Sequence, residues 1–405
     1  MRRSMLTLTV AFGLLVGLAP AAQAISVRWT LHPGKAAVDA AVAPDGSIYV
    51  AGTDRRSITV AATLRKYNAH GDLRWSRHWL PSPQASTVAT GVAVGDNGTV
   101  YMVGLARGTC EGQGWFVRAY APGGDLLWKY VTPGWACSIA EYASDIAVRG
   151  DLVVVAGFSH GCCSDMFHDG WVQSFSTSLH RGWRANVEPP APTPANWFDT
   201  ATGVAIGPSG SVFATGWAAT RGGITETTPT PGTPILVKLT GHGGRVWSER
   251  AHVSMPTMFL PVSVAVGGGR IAVAAGIEGK GVDWGSKPTT GWVAGYSVDG
   301  EAQWHRRFGG GQDDAAAPTG LAIWPKGILW VLGTRRDAGD RGTDVFVRRL
   351  SNATGKLVNK LRIDPATRRL SSGGIATIGT GAVATGRIGN QYEMKGGRVW
   401  RLAAS

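Results

Sequence analysis

The sequence predicts an all-β fold, a seven-bladed β-propeller with four antiparallel strands per blade, and three observations predict it. One apolar phrase recurs seven times along the chain. A Trp-bearing strand pair follows most copies. The one strand missing from the last copy reappears at the other end of the sequence.

The phrase is clearest as GVAVGDNGTVYMVG, closing at Gly104, and GVAIGPSGSVFATG, closing at Gly216. Other copies close at Gly52, Gly157, Gly276, Gly333 and Gly386, so successive closing glycines stand 52, 53, 59, 60, 57 and 53 positions apart. A period near fifty marks units that bury their apolar faces only against one another. Each copy holds two apolar runs around a PDG-, DNG- or PSG-type turn, which is a hairpin signal. A second pair follows, with a turn Gly four residues before a Trp in Gly71/Trp75, Gly124/Trp128, Gly243/Trp247 and Gly300/Trp304. The third copy keeps Trp183 without that Gly, and the sixth has Gly355 but puts Asn359 in the Trp place. Alternation is expected in the third strand and the start of the fourth. The first two strands are apolar throughout, as strands packed on both faces are.

The seventh copy supplies three strands and ends in GGRVWRLAAS, while ISVRWTLHPG at the start carries Arg28-Trp29-Thr30 in the pattern of Arg74-Trp75-Ser76. Segment 25–38 is therefore expected to complete blade seven and close the ring, which removes the open sheet edges. The expected blades run 39–86, 87–141, 142–197, 198–259, 260–316, 317–370 and 371–405, in one domain spanning 25–405.

Residues 1–24 stand apart. Arg2 and Arg3 precede an apolar run from Met5 to Leu18 and then APAAQA, the pattern of a secretory signal peptide cut after Ala24. A secreted, periplasmic or cell-surface protein without an integral membrane span is expected. The whole chain carries 40 Lys and Arg against 27 acids, and loss of the leader leaves a net charge of +11. That charge gathers anions. Expected partners are an anionic polysaccharide, another small anion or an extracytoplasmic protein, with no nucleic acid, and the chain is expected to be a monomer.

The repeats resemble those of the exported bacterial SBBP-type β-propellers, whose phrase is roughly a-x-G-I-A-V-D-x-x-G-N-V-Y-V-T-G followed by K-Y-x-x-x-G-x-x-x-W. The resemblance covers nearly the whole mature chain and implies a disc with a central channel, often with binding or cell-surface roles. It brings no catalytic motif and no cofactor.

Function must come from a site. The b–c connections (53–58, 106–114, 159–170, 217–234, 277–291, 334–343 and 387–397) are long and share one face with the d–a connections, which makes that face the expected binding surface. A basic residue recurs just past each closing glycine: Arg55, Arg107, His160, Arg221, Lys280, Arg336 and Arg387. Arrayed around the channel mouth they would hold carboxylate, sulfate or phosphate; the competing reading is solvated loop charges. Asp145, Asp199, Asp313 and Asp314, assigned to d–a loops, would neutralise part of that ring. Trp217 and Trp284, with Trp135, Trp197 and Tyr392, are candidate stacking surfaces; for Trp115 packing is the preferred reading.

Cys110, Cys137, Cys162 and Cys163 cluster on the same face and read as two disulfides with three possible connectivities, cross-bridges between blades two and three being preferred to a vicinal pair. A metal centre in HGCCSDMFHDG, from His160, Cys162, Cys163 and His168, is the weaker reading, and no metal is expected. The leading expectation is thus a non-enzymatic binding propeller. The alternative is an enzyme on the same frame: a lyase or hydrolase of acidic polysaccharide using His160, His168 and Tyr142, or, less favoured, a quinoprotein-like oxidoreductase.

Overall fold

The computed structural model describes residues 24–33, 36–56, 59–83, 85–107, 113–132, 139–161, 168–190, 199–219, 232–250, 259–277, 290–309, 314–337, 343–363, 370–388 and 396–404. They form seven four-stranded antiparallel sheets arranged as the blades of a propeller. Inner strands are Ala36–Val42, Ser86–Val94, Ile139–Arg149, Asp199–Ile206, Phe259–Gly267, Asp314–Trp324 and Leu370–Ile378. Second strands are Ile48–Arg56, Val100–Arg107, Leu152–Gly161, Val212–Ala219, Arg270–Ile277, Ile328–Asp337 and Gly381–Ile388. Third strands are Thr59–Tyr67, Gln113–Tyr120, His168–Ser176, Gly232–Leu239, Thr290–Ser297, Thr343–Ser351 and Gly396–Ala404. Outer strands are Leu73–Trp79, Leu126–Val131, Arg181–Asn186, Arg245–Arg250, Ala302–Gly309 and Leu357–Ile363, with Ile25–Leu31 as the outer strand of blade seven.

That last strand pairs antiparallel with Gly396–Ala404, setting Trp29 opposite Arg401 and Thr30 opposite Trp400. The N-terminal segment therefore closes the ring, ending its strand at Leu31, and the inner strand of blade one starts at Ala36. Ile25 packs with Val345, Ile363 and Leu402, while Trp29 and Leu31 pack with Val50, Tyr67 and Val399, so one short segment ties blades six, seven and one. Among the described residues no helix is long and apolar enough to cross a membrane.

The phrase glycines answer to close approach. A Cβ on Gly52, Gly104 or Gly157 would lie against the carbonyl oxygen of Ala36, Val88 or Tyr142 on the paired inner strand. Opposite each closing glycine but Gly276 the inner strand also carries a bulge, as between Ala89 and Gly91, and the strand pair can approach this closely only without a side chain.

The repeat tryptophans act between blades. Trp75 Nε1 donates to Pro122 O at 3.0 Å, Trp128 to Thr177 O at 2.7 Å, Trp183 to Gly241 O at 2.9 Å and Trp304 to Asn352 O at 2.9 Å. Each ring thus covers the tight turn between the third and outer strands of the next blade, against Gly124, Gly243 and Gly355 for Trp75, Trp183 and Trp304. Trp29 lies in the same way against Gly71. Two departures in the repeat follow from this arrangement. Blade seven joins its third and outer strands by pairing alone, with no tight turn between them, so position 359 has no turn to cover and carries Asn. In blade three the turn uses Leu179 at φ 71° where other blades use Gly.

The expected alternation is displaced outward. Third strands are buried nearly throughout, as in Thr290–Ser297, and alternation appears in the outer strands, as in Leu126–Val131 and Arg181–Asn186. Neighbouring blades cover the third strand on both faces, and the edges spread apart only at the rim.

Candidate functional site

Four of the seven basic positions occupy one structural place. Arg55, Arg107, His160 and Arg336 each stand three residues past the closing glycine and pair with Val60, Gln113, His168 and Thr343 on the third strand. The second strands of these blades run further than the sequence suggests, so the four sit on strand ends held in register, at the long-connection face. Residues 53–56, read as loop, belong to the strand. Arg55 and Arg107 are exposed. Arg387 departs from the set: it stands one residue past Gly386, is partly buried, and desolvation lowers its pKa. Arg221, Lys280 and Trp284 lie outside the described residues, as do Cys110, Cys137, Cys162 and Cys163.

Trp217 is not a surface aromatic. It is 6% exposed and sits two residues before Ala219 in the second strand of blade four, between the inner and third strands. Trp115 is fully buried and packs on Trp171 at 5.1 Å, with its Nε1 donating to Glu141 Oε2 at 3.0 Å. Tyr142 stacks on Phe158 at 4.8 Å, pairing it with an apolar ring of its own blade. His168 is the first residue of the third strand in blade three, opposite His160.

The acids are arranged otherwise than expected. Asp145 belongs to an inner strand, where it follows a bulge at Ser144, and Asp39 holds the matching place in blade one. Asp199 and Asp314 open inner strands of blades four and six; Asp313 lies outside the described residues. Asp39 and Asp145 line a cavity of about 350 Å³ on the axis, with Thr90, Ser144, Thr202, Ser263 and Thr319. The lining comes from all seven inner strands.

These carboxylates clasp blades. Asp39 accepts from Val92 N at 2.9 Å on blade two and from Ala40 N at 2.8 Å. Asp145 does the same with Val204 N at 2.9 Å on blade four and Ile146 N at 2.8 Å. Ser263 accepts from Leu321 N at 3.3 Å on blade six. The blade before each clasping residue presents a glycine, Gly374 before Asp39, Gly91 before Asp145 and Gly203 before Ser263, where an added Cβ would press on that residue. Burial pushes the Asp39 pKa up to about 7, aided by the negative charge of Asp145, against the lowering effect of the two N–H donors. Burial likewise raises Asp145 to about 6. Asp199 is raised to about 7, first by desolvation, and its Oδ1 has no hydrogen-bond partner among the described residues.

A raised folded-state pKa means that the folded chain holds protons the unfolded chain has released. The stabilisation from protonated Asp39 and Asp145 is complete below about pH 4 and is lost as pH rises through 6 and 7. Relative to the Asp39→Asn/Asp145→Asn variant, the native chain should lose on the order of 2 kcal/mol between pH 4.5 and pH 8, the partial exposure of both residues damping the shift. Urea midpoints at the two pH values check this, and equal midpoint shifts in both proteins would refute it.

No family model matches the chain, and no curated protein matches it. Among solved structures it is similar to a protein of unknown function from Dyadobacter fermentans, at 11% identity and TM-score 0.55, with 94% of this chain and 99% of that one covered. The β-propeller domain of the trilobed protease from Pyrococcus furiosus aligns at 10% identity and TM-score 0.49, over 93% of this chain and 94% of that one. At such identities a likeness bears on fold alone. The fold is that of a seven-bladed β-propeller, with an acid-lined axis and cations on the strand ends of the long-connection face.

Proposed function

We propose that the chain is an exported, non-enzymatic binding propeller of the SBBP-repeat kind, taking an anionic, carbohydrate-like ligand on its long-connection face. The observation that carries this reading is the shared register of Arg55, Arg107, His160 and Arg336 on four second strands. Strand pairing fixes the backbone at these positions, so ordering on binding is confined to the side chains. Guanidinium forks match the planar or tetrahedral oxygens of uronate and sulfate.

The test is calorimetry with short sulfated and uronate oligosaccharides. Binding should weaken steeply with salt, and Arg55→Ala/Arg107→Ala should lower affinity at least about tenfold, the effect of losing charge-assisted hydrogen bonds. Binding indifferent to both salt and the two substitutions would overturn the proposal.

A further inference from the structure

The positive charge of this protein is concentrated on its rim. The seven outer strands hold twelve of the 40 Lys and Arg but one of the 27 Asp and Glu, Glu249. They therefore account for eleven of the thirteen net positive charges, and the remainder of the chain is close to neutral. The inner strands are opposite in sign, with Asp39, Glu141, Asp145, Asp199 and Asp314 against one cation, Arg149.

Cations one strand further in have structural tasks. Lys66 and Lys238 donate to Pro122 O and Val298 O of the next blade, and Arg118 stacks over Trp79 at 4.9 Å. On the outer strands, by contrast, Arg28, Arg74, Lys129, Arg307 and Lys360 are exposed and have no hydrogen-bond or ion-pair partner among the described residues. They fall on blades seven, one, two, five and six, which are five consecutive blades around the ring. The belt is interrupted at blades three and four, where Arg184 pairs with Glu141 at 2.8 Å and Arg245 with Glu188 at 3.5 Å.

We propose that this belt binds a linear acidic polysaccharide running along the rim across several blades. The inference goes beyond the strand-end reading above and is independent of it: it concerns the rim, and its ligand is a polymer in place of a small anion. A flat anionic surface touches a disc's edge along one short arc, whereas a flexible polyanion follows the curve and meets cations on successive blades. Unpaired Lys and Arg release counterions from such a chain, and affinity then grows with the number of blades spanned.

Size-fractionated heparin oligosaccharides and full-length heparin are the probes. The Arg28→Gln/Arg74→Gln/Lys129→Gln variant removes charge from three adjacent blades without breaking a described contact. A control of equal charge, Arg270→Gln/Lys326→Gln/Lys356→Gln, alters the opposite, tight-turn side. Native affinity should rise at least tenfold from tetrasaccharide to dodecasaccharide. The rim variant should lose that rise and flatten the slope of log affinity against log salt by about three, and the control should stay within threefold. Equal losses in both variants would reduce the effect to net charge, and an unchanged rim variant or absent heparin binding would likewise overturn the belt. Vesicles of phosphatidylglycerol binding with the same rim dependence, while heparin does not bind, would replace the polymer with a membrane. If polymer binding falls in Arg55→Ala/Arg107→Ala but not in the rim variant, the belt fails and the strand-end reading stands; the reverse result refutes the strand ends and keeps the belt.

Discussion

Trp29→Ala should cost about 2–3 kcal/mol, and deletion of residues 25–31 should leave a chain that no longer unfolds in one cooperative step. Trp29 packs on Gly71 of blade one from the outer strand of blade seven, and the same segment anchors Ile25 among residues of blade six. Truncating the indole removes part of the contact that joins the chain's two ends. Deleting the strand exposes the edge of Gly396–Ala404 as well, including the buried Trp400 and Leu402. Val246→Ala, at an outer-strand residue 52% exposed, is the comparison and should change stability by less than about 0.5 kcal/mol. Urea unfolding followed by tryptophan fluorescence reads all three; a Trp29 effect no larger than that of Val246 would contradict the closure.

Gly104→Ala is expected to be more damaging still, above about 4 kcal/mol or a failure to fold. Its Cβ would lie on Val88 O, with the Phe116 ring also within van der Waals distance. Neither neighbour has room to yield, because Val88 O belongs to a paired inner strand and Phe116 is fully buried. Gly210→Ala separates this clash from a purely conformational penalty. Gly210 has φ +79° and nothing within 4 Å of its Cβ direction, so its loss should cost about 1 kcal/mol. Equal costs at the two positions would mean that packing at the closing glycine is not what fixes the repeat.

The ring and its closure were legible because both are periodic. A Trp spaced four residues from a turn Gly, and Arg28-Trp29-Thr30 copying Arg74-Trp75-Ser76, carry their structural meaning in the pattern itself. The site was less legible, for local reasons. A bulge displaces the side-chain alternation by one residue, so Asp145 faces the axis although its surroundings read as a connecting loop. Trp217 follows a closing glycine as loop residues were expected to, but the strand continues past it and buries the ring. Arg387 sits two residues short of the strand-end place, a spacing already present in the sequence whose weight becomes clear once the other four share one register. Charge on the rim was hidden because no single outer strand looks unusual; the excess emerges only when seven distant segments of six to eight residues become neighbours.

Asn359 has a consequence for how the wheel gives way. Every other seam between consecutive blades is pinned by an indole laid over the neighbour's turn, but the join between blades six and seven lacks that rivet. Thermal breathing should begin there. Amide hydrogens of Leu357–Ile363 and Leu370–Ile378 would then exchange ahead of their counterparts elsewhere on the circle, making this seam the fault line along which the propeller first parts.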